Sequence, residues 1–432
     1  MLRSKAAAIG KFAASARSYA SVAPTVLTTA NGIKVAAAEG PADSPLASVS
    51  LVINHGSRFE TAETSGAAHY LKAFGFRNTQ DRTSFRTVRE AELNGATLTA
   101  EATRENITYT VQCFRDALPY FVDILGDIAA ATKFTEHEFR DIAKLVRFEA
   151  LGAREDPVAR VIGGVHQAAF RSGLGNSLYA LDSSPVVTGD AVRQYAQDAM
   201  QAGKVAIVAT GVDAATLAAL VSESKLAALT NSGAASVPSV ASKFTGGAHQ
   251  IYESAAPVSH YALAFESDAA SAPVLASLLG AQRRLKWGAG GASPLAKLAF
   301  SSGFSVESFS FAYSDAALVG VLVSAPSVQI KAAVEKVAGV IQTDVAKASP
   351  EAVLRAVASS RLDAAEAQAT QQGVVRELSK LALGHGPLCT VEAVDGVASG
   401  LAQNAAKVFG NKPVAASIGL SQTTAYVDTL GF

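Results

Sequence analysis

The sequence predicts an α+β fold of two tandem homologous domains, each a mainly antiparallel sheet with helices packed on one face. Three observations lead there. The chain has 432 residues, too many for one ordinary core and comfortable for two. Alternating apolar runs, the mark of half-buried strands, are interleaved with stretches of helical spacing in both halves. The order strand, helix, strand, strand, helix, long helices, strand occurs twice, on either side of a Ser/Ala/Gly-rich stretch. The expected division is a leader over 1–19, a first domain over 20–221, a linker over 222–250 and a second domain over 251–432.

The leader carries Arg3, Lys5, Lys11 and Arg17, and no acidic residue precedes Glu39. As a helix, its residues Leu2, Ala6, Ile9, Ala13 and Ala16 share one face. A basic, Ser/Ala-rich, acid-free amphipathic start is the pattern of a mitochondrial presequence, and no apolar core of secretory type follows it. Arg17-Ser18-Tyr19-Ala20 resembles a matrix-protease site, which predicts cleavage between Tyr19 and Ala20. Removing 1–19 leaves 33 basic against 37 acidic residues, a net charge of −4.

In the first domain Val49, Leu51 and Ile53 alternate with small or polar residues and predict a strand. A helix is expected from Ala62 to Phe74. Two strands follow, Thr97–Ala102 and Asn106–Phe114, with Ile107, Tyr109, Val111 and Cys113 on one face. Leu118, Phe121, Leu125 and Ile128 predict a helix over Ala117–Ala131. Thr135 and Glu138 have the spacing of a capping box at the start of the next helix. Lys204–Thr210, then Gly211, closes the half. In the second domain Tyr261–Phe265, Phe304–Tyr313, Leu318–Ser324, a helix from Ser349 and the strand Lys412–Ile418 repeat the order. Ser222–Gln250, with Pro238 and no sustained periodicity, reads as linker.

Composition narrows the function. Basic and acidic residues balance at 37 each, with no basic stripe and no basic–aromatic interleaving, so nucleic acid is not an expected partner. Cys113 and Cys389, the two cysteines, sit in apolar runs and read as buried thiols. No stretch of about 18 apolar residues is present, so membrane association is expected to come through other proteins.

Residues 56–109 are the most informative. Gly56-Ser57-Arg58-Phe59-Glu60 precedes Gly66-Ala67-Ala68-His69-Tyr70-Leu71-Lys72-Ala73-Phe74. Glu92-Leu93-Asn94-Gly95-Ala96 and Thr103-Arg104-Glu105-Asn106 follow. These runs, in this order and spacing, resemble the inverzincin family, which includes the mitochondrial processing peptidase and the core proteins of respiratory complex III. The resemblance covers nearly the whole chain after the leader.

In that family one helix carries His-x-x-Glu-His, whose two histidines bind zinc while the glutamate takes a proton from the metal-bound water. The resemblance puts His69 at the first histidine, Lys72 at the glutamate and Ala73 at the second histidine. Glu149 is the candidate for the third ligand, with Ala150 beside it at the strict spacing. Ala73 has no donor atom. A divalent ion and an ammonium ~5 Å apart repel by about 6–7 kcal/mol at an effective dielectric near 20. An ammonium has no lone pair with which to accept a proton. The expectation is a chain with no catalytic residues, no metal and no cofactor, in which His69 is a packed or hydrogen-bonded histidine. His55 is expected to be a strand-end residue, and Arg104 and Glu105 a turn support or ion pair. No Gly-x-Ser-x-Gly elbow offers a substitute nucleophile.

The second half adds Leu295-Ala296-Lys297-Leu298-Ala299, Phe304–Phe309, Tyr313-Ser314-Asp315 and the closing Thr429-Leu430-Gly431-Phe432. These resemble the core-protein branch of the family. That likeness implies a structural, non-catalytic subunit, peripheral on the matrix side of the mitochondrial inner membrane. It implies core protein 1, cytochrome b and other subunits of a dimeric complex III as partners. A second reading stays open: the presequence-binding, non-catalytic half of a processing peptidase heterodimer. That partner carries a glycine-rich loop, to which Gly288–Gly291 here corresponds, interrupted by Pro294.

Overall fold

The computed structural model describes residues 24–40, 44–180, 187–230, 241–253, 256–280, 293–385 and 390–432. The expected leader, its cleavage site, Cys389 and the Gly288–Gly291 loop lie outside them. The first half runs β1 (Thr25–Thr28), β2 (Lys34–Ala38), β3 (Leu46–Ile53), α1 (Ala67–Ala73), α2 (Ser84–Leu93), β4 (Thr97–Ala102) and β5 (Ile107–Phe114). It continues with α3 (Leu118–Ala131), α4 (Glu136–Glu155), α5 (Pro157–Phe170), α6 (Gly189–Ala199), β6 (Val205–Thr210) and α7 (Ala214–Glu223). The second half has β7 (Ala248–Tyr252), β8 (Val258–Ser267), α8 (Ala272–Leu279), α9 (Pro294–Ser302), β9 (Ser305–Ala312) and β10 (Ala317–Pro326). It ends with α10 (Ile330–Val340), α11 (Pro350–Gln368), α12 (Gln371–Leu383), α13 (Val391–Ala398), α14 (Leu401–Phe409) and β11 (Val414–Gly419).

The strand orders are β1-β2-β6-β3-β5-β4 and β7-β11-β8-β10-β9. Apart from β1 they correspond strand for strand, and in each sheet one pair is parallel, β2 with β6 and β7 with β11. The repeated order in the sequence is thus a repeated topology.

Each sheet has an apolar face covered by helices of its own half. In the first, Val49, Leu51, Ile53, Ile107, Tyr109, Val111 and Cys113 pack under α3 through Leu118, Phe121 and Leu125. This is the face that the alternation predicts. Burial pushes the Cys113 thiol up to about 11, so it stays protonated. In the second, Tyr261, Leu263, Phe265, Val319 and Val321 pack with α8, α10, α11 and α14.

The opposite faces exchange helices. α12, from the second half, covers Ala36, Ala38, Val52, Ala206 and Val208 with Val375, Leu378 and Ala382. α5, from the first half, covers Ala262, Ala264, Leu318, Val414 and Ala416 with Val161, Val165 and Ala169. Small residues let each helix lie close: a Cβ at Gly164 would stand 2.8 Å from the His249 ring and 3.2 Å from Ala416. The helices of one domain therefore occupy one face, and the other face belongs to a helix from its twin.

Three local expectations change. The helix expected from Ala62 begins at Ala67, because Gly66 takes φ 95°, a left-handed conformation that ends the preceding turn. The Thr135–Glu138 pair does not close a capping box: the Thr135 hydroxyl donates to the Glu138 carboxylate (2.7 Å), which also accepts from the Asn78 N–H (3.0 Å). The stretch 222–250, expected as linker, is regular at both ends. A 3-10 turn over Lys225–Ala228 buries Leu226 in the first core, Lys225 bonds Asp127 (2.6 Å), and β7 begins at Ala248.

Candidate functional site

The short helix α1 is held at both ends. Glu60 accepts from the Gly66 and Ala68 N–H groups (2.9 and 2.8 Å), so its carboxylate caps donors that have no partner within the helix. Burial outweighs those two bonds and pushes the Glu60 carboxyl up to about 7. Near the other end the Tyr109 hydroxyl on β5 donates to the Leu71 carbonyl (2.6 Å). The helix thus presents His69 and Lys72 to α4, which supplies Glu149.

His69, Lys72 and Glu149 meet. His69 Nε2 lies 2.6 Å and Lys72 Nζ 2.5 Å from the same oxygen, Glu149 Oε2. The Ala180 N–H donates to His69 Nδ1 (3.2 Å), so Nδ1 is the unprotonated nitrogen and Nε2–H donates to Glu149. Burial, with the Lys72 ammonium beside it, holds His69 below its usual range in spite of the Glu149 bond. Burial also works against the Glu149 carboxylate, but the Lys72 and His69 hydrogen bonds prevail and hold it below the usual carboxylate range. The site is a neutral imidazole and a closed ammonium–carboxylate pair.

Zinc does not fit these residues. The Nε2 that would face a metal carries its proton into Glu149, and the ammonium of Lys72 already neutralises that carboxylate. Ala73, which the resemblance puts at the second histidine position, is packed in an apolar cluster with Phe74, Ile142 and Val146. Among the described residues no group of three or more His, Cys, Asp or Glu is placed to hold a metal ion. Lys72 supplies the positive charge beside Glu149, tethered by its own side chain. No proton acceptor stands where the general base would.

The other motif runs do converge, but on a different place. The Gly56 N–H donates to the Glu105 carbonyl (2.8 Å) and the Arg58 N–H to the Arg104 carbonyl (2.7 Å), so the Gly-Ser-Arg run is bonded along the Thr-x-Arg-Glu turn. Gly56 permits this approach: a Cβ there would stand 2.5 Å from the Thr103 carbonyl oxygen. The Arg58 guanidinium, its side chain 3% exposed, bonds Glu105 (2.8 Å) and, through two nitrogens, Asp315 of the second half (2.8 and 2.6 Å). The Ser314 hydroxyl donates to Glu105 (2.6 Å), and the Ser242 N–H donates to Asp315 (2.8 Å). Burial opposes the Asp315 charge, yet the Arg58 and Ser242 bonds hold its carboxyl below the usual range.

Beside this cluster the Tyr313 hydroxyl bonds His166 Nε2 (2.8 Å), whose Nδ1–H donates to the Ile162 carbonyl (2.7 Å). Arg104 donates to the Leu174 carbonyl (3.0 Å). Glu105 is therefore an ion-pair partner, as expected, and Arg104 a backbone support. Sequence reasoning quoted Arg58 and Tyr313-Ser314-Asp315 but did not join them. The two turns lie 257 residues apart, and nothing in the spacing or periodicity of either one points to the other. His55 follows β3, buried and stacked on Phe59 with ring centroids 5.1 Å apart. Glu92–Ala96 forms the turn from α2 into β4, where Gly95 takes φ 62°.

Comparison with known proteins adds the family. The family model described as Insulinase (Peptidase family M16) matches residues 35–181. The cytochrome b-c1 complex subunit 2, mitochondrial, of Cryptococcus neoformans is 34% identical over 94% of this chain and 94% of its own length. The protein of the same name from Neurospora crassa is 30% identical over 99% of this chain and 95% of its own. The human one is 29% identical over 93% and 90%. With likeness running from end to end at 30% identity and above, this chain belongs to the mitochondrial cytochrome b-c1 complex subunit 2 family.

Proposed function

We propose that this chain is a non-catalytic structural subunit of respiratory complex III, the assembly that passes electrons from ubiquinol to cytochrome c. Its role is to support assembly and stability of that complex. The observation that carries the non-catalytic part is the Lys72–Glu149 bond: His69, Lys72, Ala73 and Glu149 form a degenerate motif that closes on itself. End-to-end likeness to proteins named as subunit 2 supports the placement in the complex. No helix of the described residues is long and apolar enough to cross a membrane, which suits a subunit attached through others. The same reading assigns it to the matrix side of the inner membrane, with core protein 1 and cytochrome b as neighbours. The leader over 1–19 with cleavage between Tyr19 and Ala20, and the domains over 20–221 and 251–432, belong to the same proposal. The alternative, a presequence-binding half of a processing peptidase, is not favoured, since the relatives described above are named as complex subunits. Gentle detergent extraction followed by native separation tests the proposal. The chain is expected to run with haem-containing material; migration free of haem overturns it.

A further inference from the structure

The two sheets share one strand order, and the correspondence stops at one edge. β2 has β6 on one side and β1 on the other, whereas β7, its counterpart, has β11 on one side and, among the described residues, no strand on the other. The register fixes what that open side offers. The Ala415 N–H donates to the Gly247 carbonyl (3.1 Å) and the Glu253 N–H to the Gly419 carbonyl (2.9 Å). Alternate residues of a parallel strand bond to the same neighbour. The backbone groups of His249 and Ile251 therefore serve β11, and those of Ala248, Gln250 and Tyr252 point outward. The side chains of those three are also exposed, while His249 and Ile251 are half-buried on the side covered by α5.

A row of outward N–H and C=O groups is a template for another strand, and folds that avoid such pairing place Lys, Pro or a bulge there. Ala-His-Gln-Ile-Tyr contains no lysine, no proline and no carboxylate. A cavity lies at each end of the strand. One of about 680 Å³ is bounded by Pro157, Tyr252, Glu253, Val258, His260 and Ile418. The other, about 430 Å³, is bounded by Gln167, Arg171, Gly247 and His249.

We propose that the outer edge of β7 is the docking site for an extended segment of another subunit of the complex, added antiparallel. The molecule itself shows what such an edge accepts. β1 lies antiparallel on β2, Thr25 opposite Ala37 and Thr28 opposite Lys34, and all four of its side chains are exposed. Its attachment rests on backbone bonds rather than on burial, and a guest on β7 needs the same chemistry. The matching guest is a short, uncharged, Thr/Val-rich strand. The side chain at its N-terminal end would enter the cavity beside Tyr252, where Pro157, Val258 and Ile418 meet Glu253 and His260.

The inference rests on reading the chain as a complex subunit, and the test separates the two. Amide hydrogen exchange is measured over Ala248–Tyr252 in the intact complex and in the isolated full chain. Strand addition is expected to slow exchange there by roughly tenfold or more in the complex. Gln250→Pro removes one outward N–H and leaves the β7–β11 bonds in place, so the variant should melt like the wild type alone and lose the slowing. A photo-crosslinker at position 250 is expected to capture an extended segment of a different subunit. Equal exchange in complex and isolated chain overturns the inference, as does capture of a second copy of this chain. A chain that runs with haem yet shows equal exchange sinks the edge alone. If Gln250→Pro fails to fold, the wild-type exchange comparison decides.

Discussion

Lys72 acts through its charge. Its ammonium neutralises Glu149, which would otherwise be a half-buried carboxylate beside a neutral imidazole. Changing Lys72→Glu and Ala73→His together restores the donor set on a helix whose position over Glu149 is already established. Elemental analysis of the purified double variant is expected to find one zinc per chain, against none for the wild type. An empty double variant would mean that the apolar packing around Ala73 no longer admits an imidazole in ligand geometry. Two other histidines respond to acid. Burial holds His55 and His166 neutral, both lowered to about 3. Their contribution is complete above the unfolded value near 6.5 and is lost as pH falls from there toward 3, at up to ~1.4 kcal/mol per pH unit for each. Glu60 acts the other way, since its raised carboxyl favours the fold as pH drops from about 7 toward 4.5. Two losses outweigh one gain, so the urea midpoint should be lower at pH 5 than at pH 7. In a His55→Phe variant the two midpoints should draw together.

At the scale of elements, the Arg58–Glu105–Asp315 cluster binds the Gly-Ser-Arg run of one half to the Tyr-Ser-Asp turn of the other. Removing one member of a buried ion cluster leaves the remaining charges unpaired, which costs about 3–5 kcal/mol. Arg58→Ala should therefore lower stability by about that amount in urea unfolding. The Arg58→Ala/Asp315→Ala double variant should lose less than the sum of the singles. The strands flanking this cluster were legible, because Val49–Ile53 and Ile107–Cys113 alternate and one face is buried. β2 was not: Val35, Ala36, Ala37 and Ala38 are buried on both faces, so no alternation marks them. The resemblance put His69, Lys72 and Ala73 together on one helix, and the structure does place all three on α1. That Lys72 reaches Glu149, 77 residues on, required the fold. The Arg58–Asp315 bond spans 257 residues and joins two turns, which periodicity cannot connect.

For the whole molecule, the exchange of α5 and α12 makes the halves dependent on one another. Without α12, the face formed by Ala36, Ala38, Val52, Ala206 and Val208 is open to water. A chain ending at residue 370 is expected to be insoluble or to bind a hydrophobic dye strongly. Adding residues 371–432 as a second polypeptide should restore a soluble pair, and a truncated chain that stays monomeric and dye-silent would contradict the arrangement. The exchange also dictates a schedule. A polypeptide delivered amino-terminus first has every strand of its leading sheet by residue 210, yet it must wait for residues 371–383 before that sheet is sealed. Over that interval a greasy slab stands uncovered, which is where a holding chaperone would be needed.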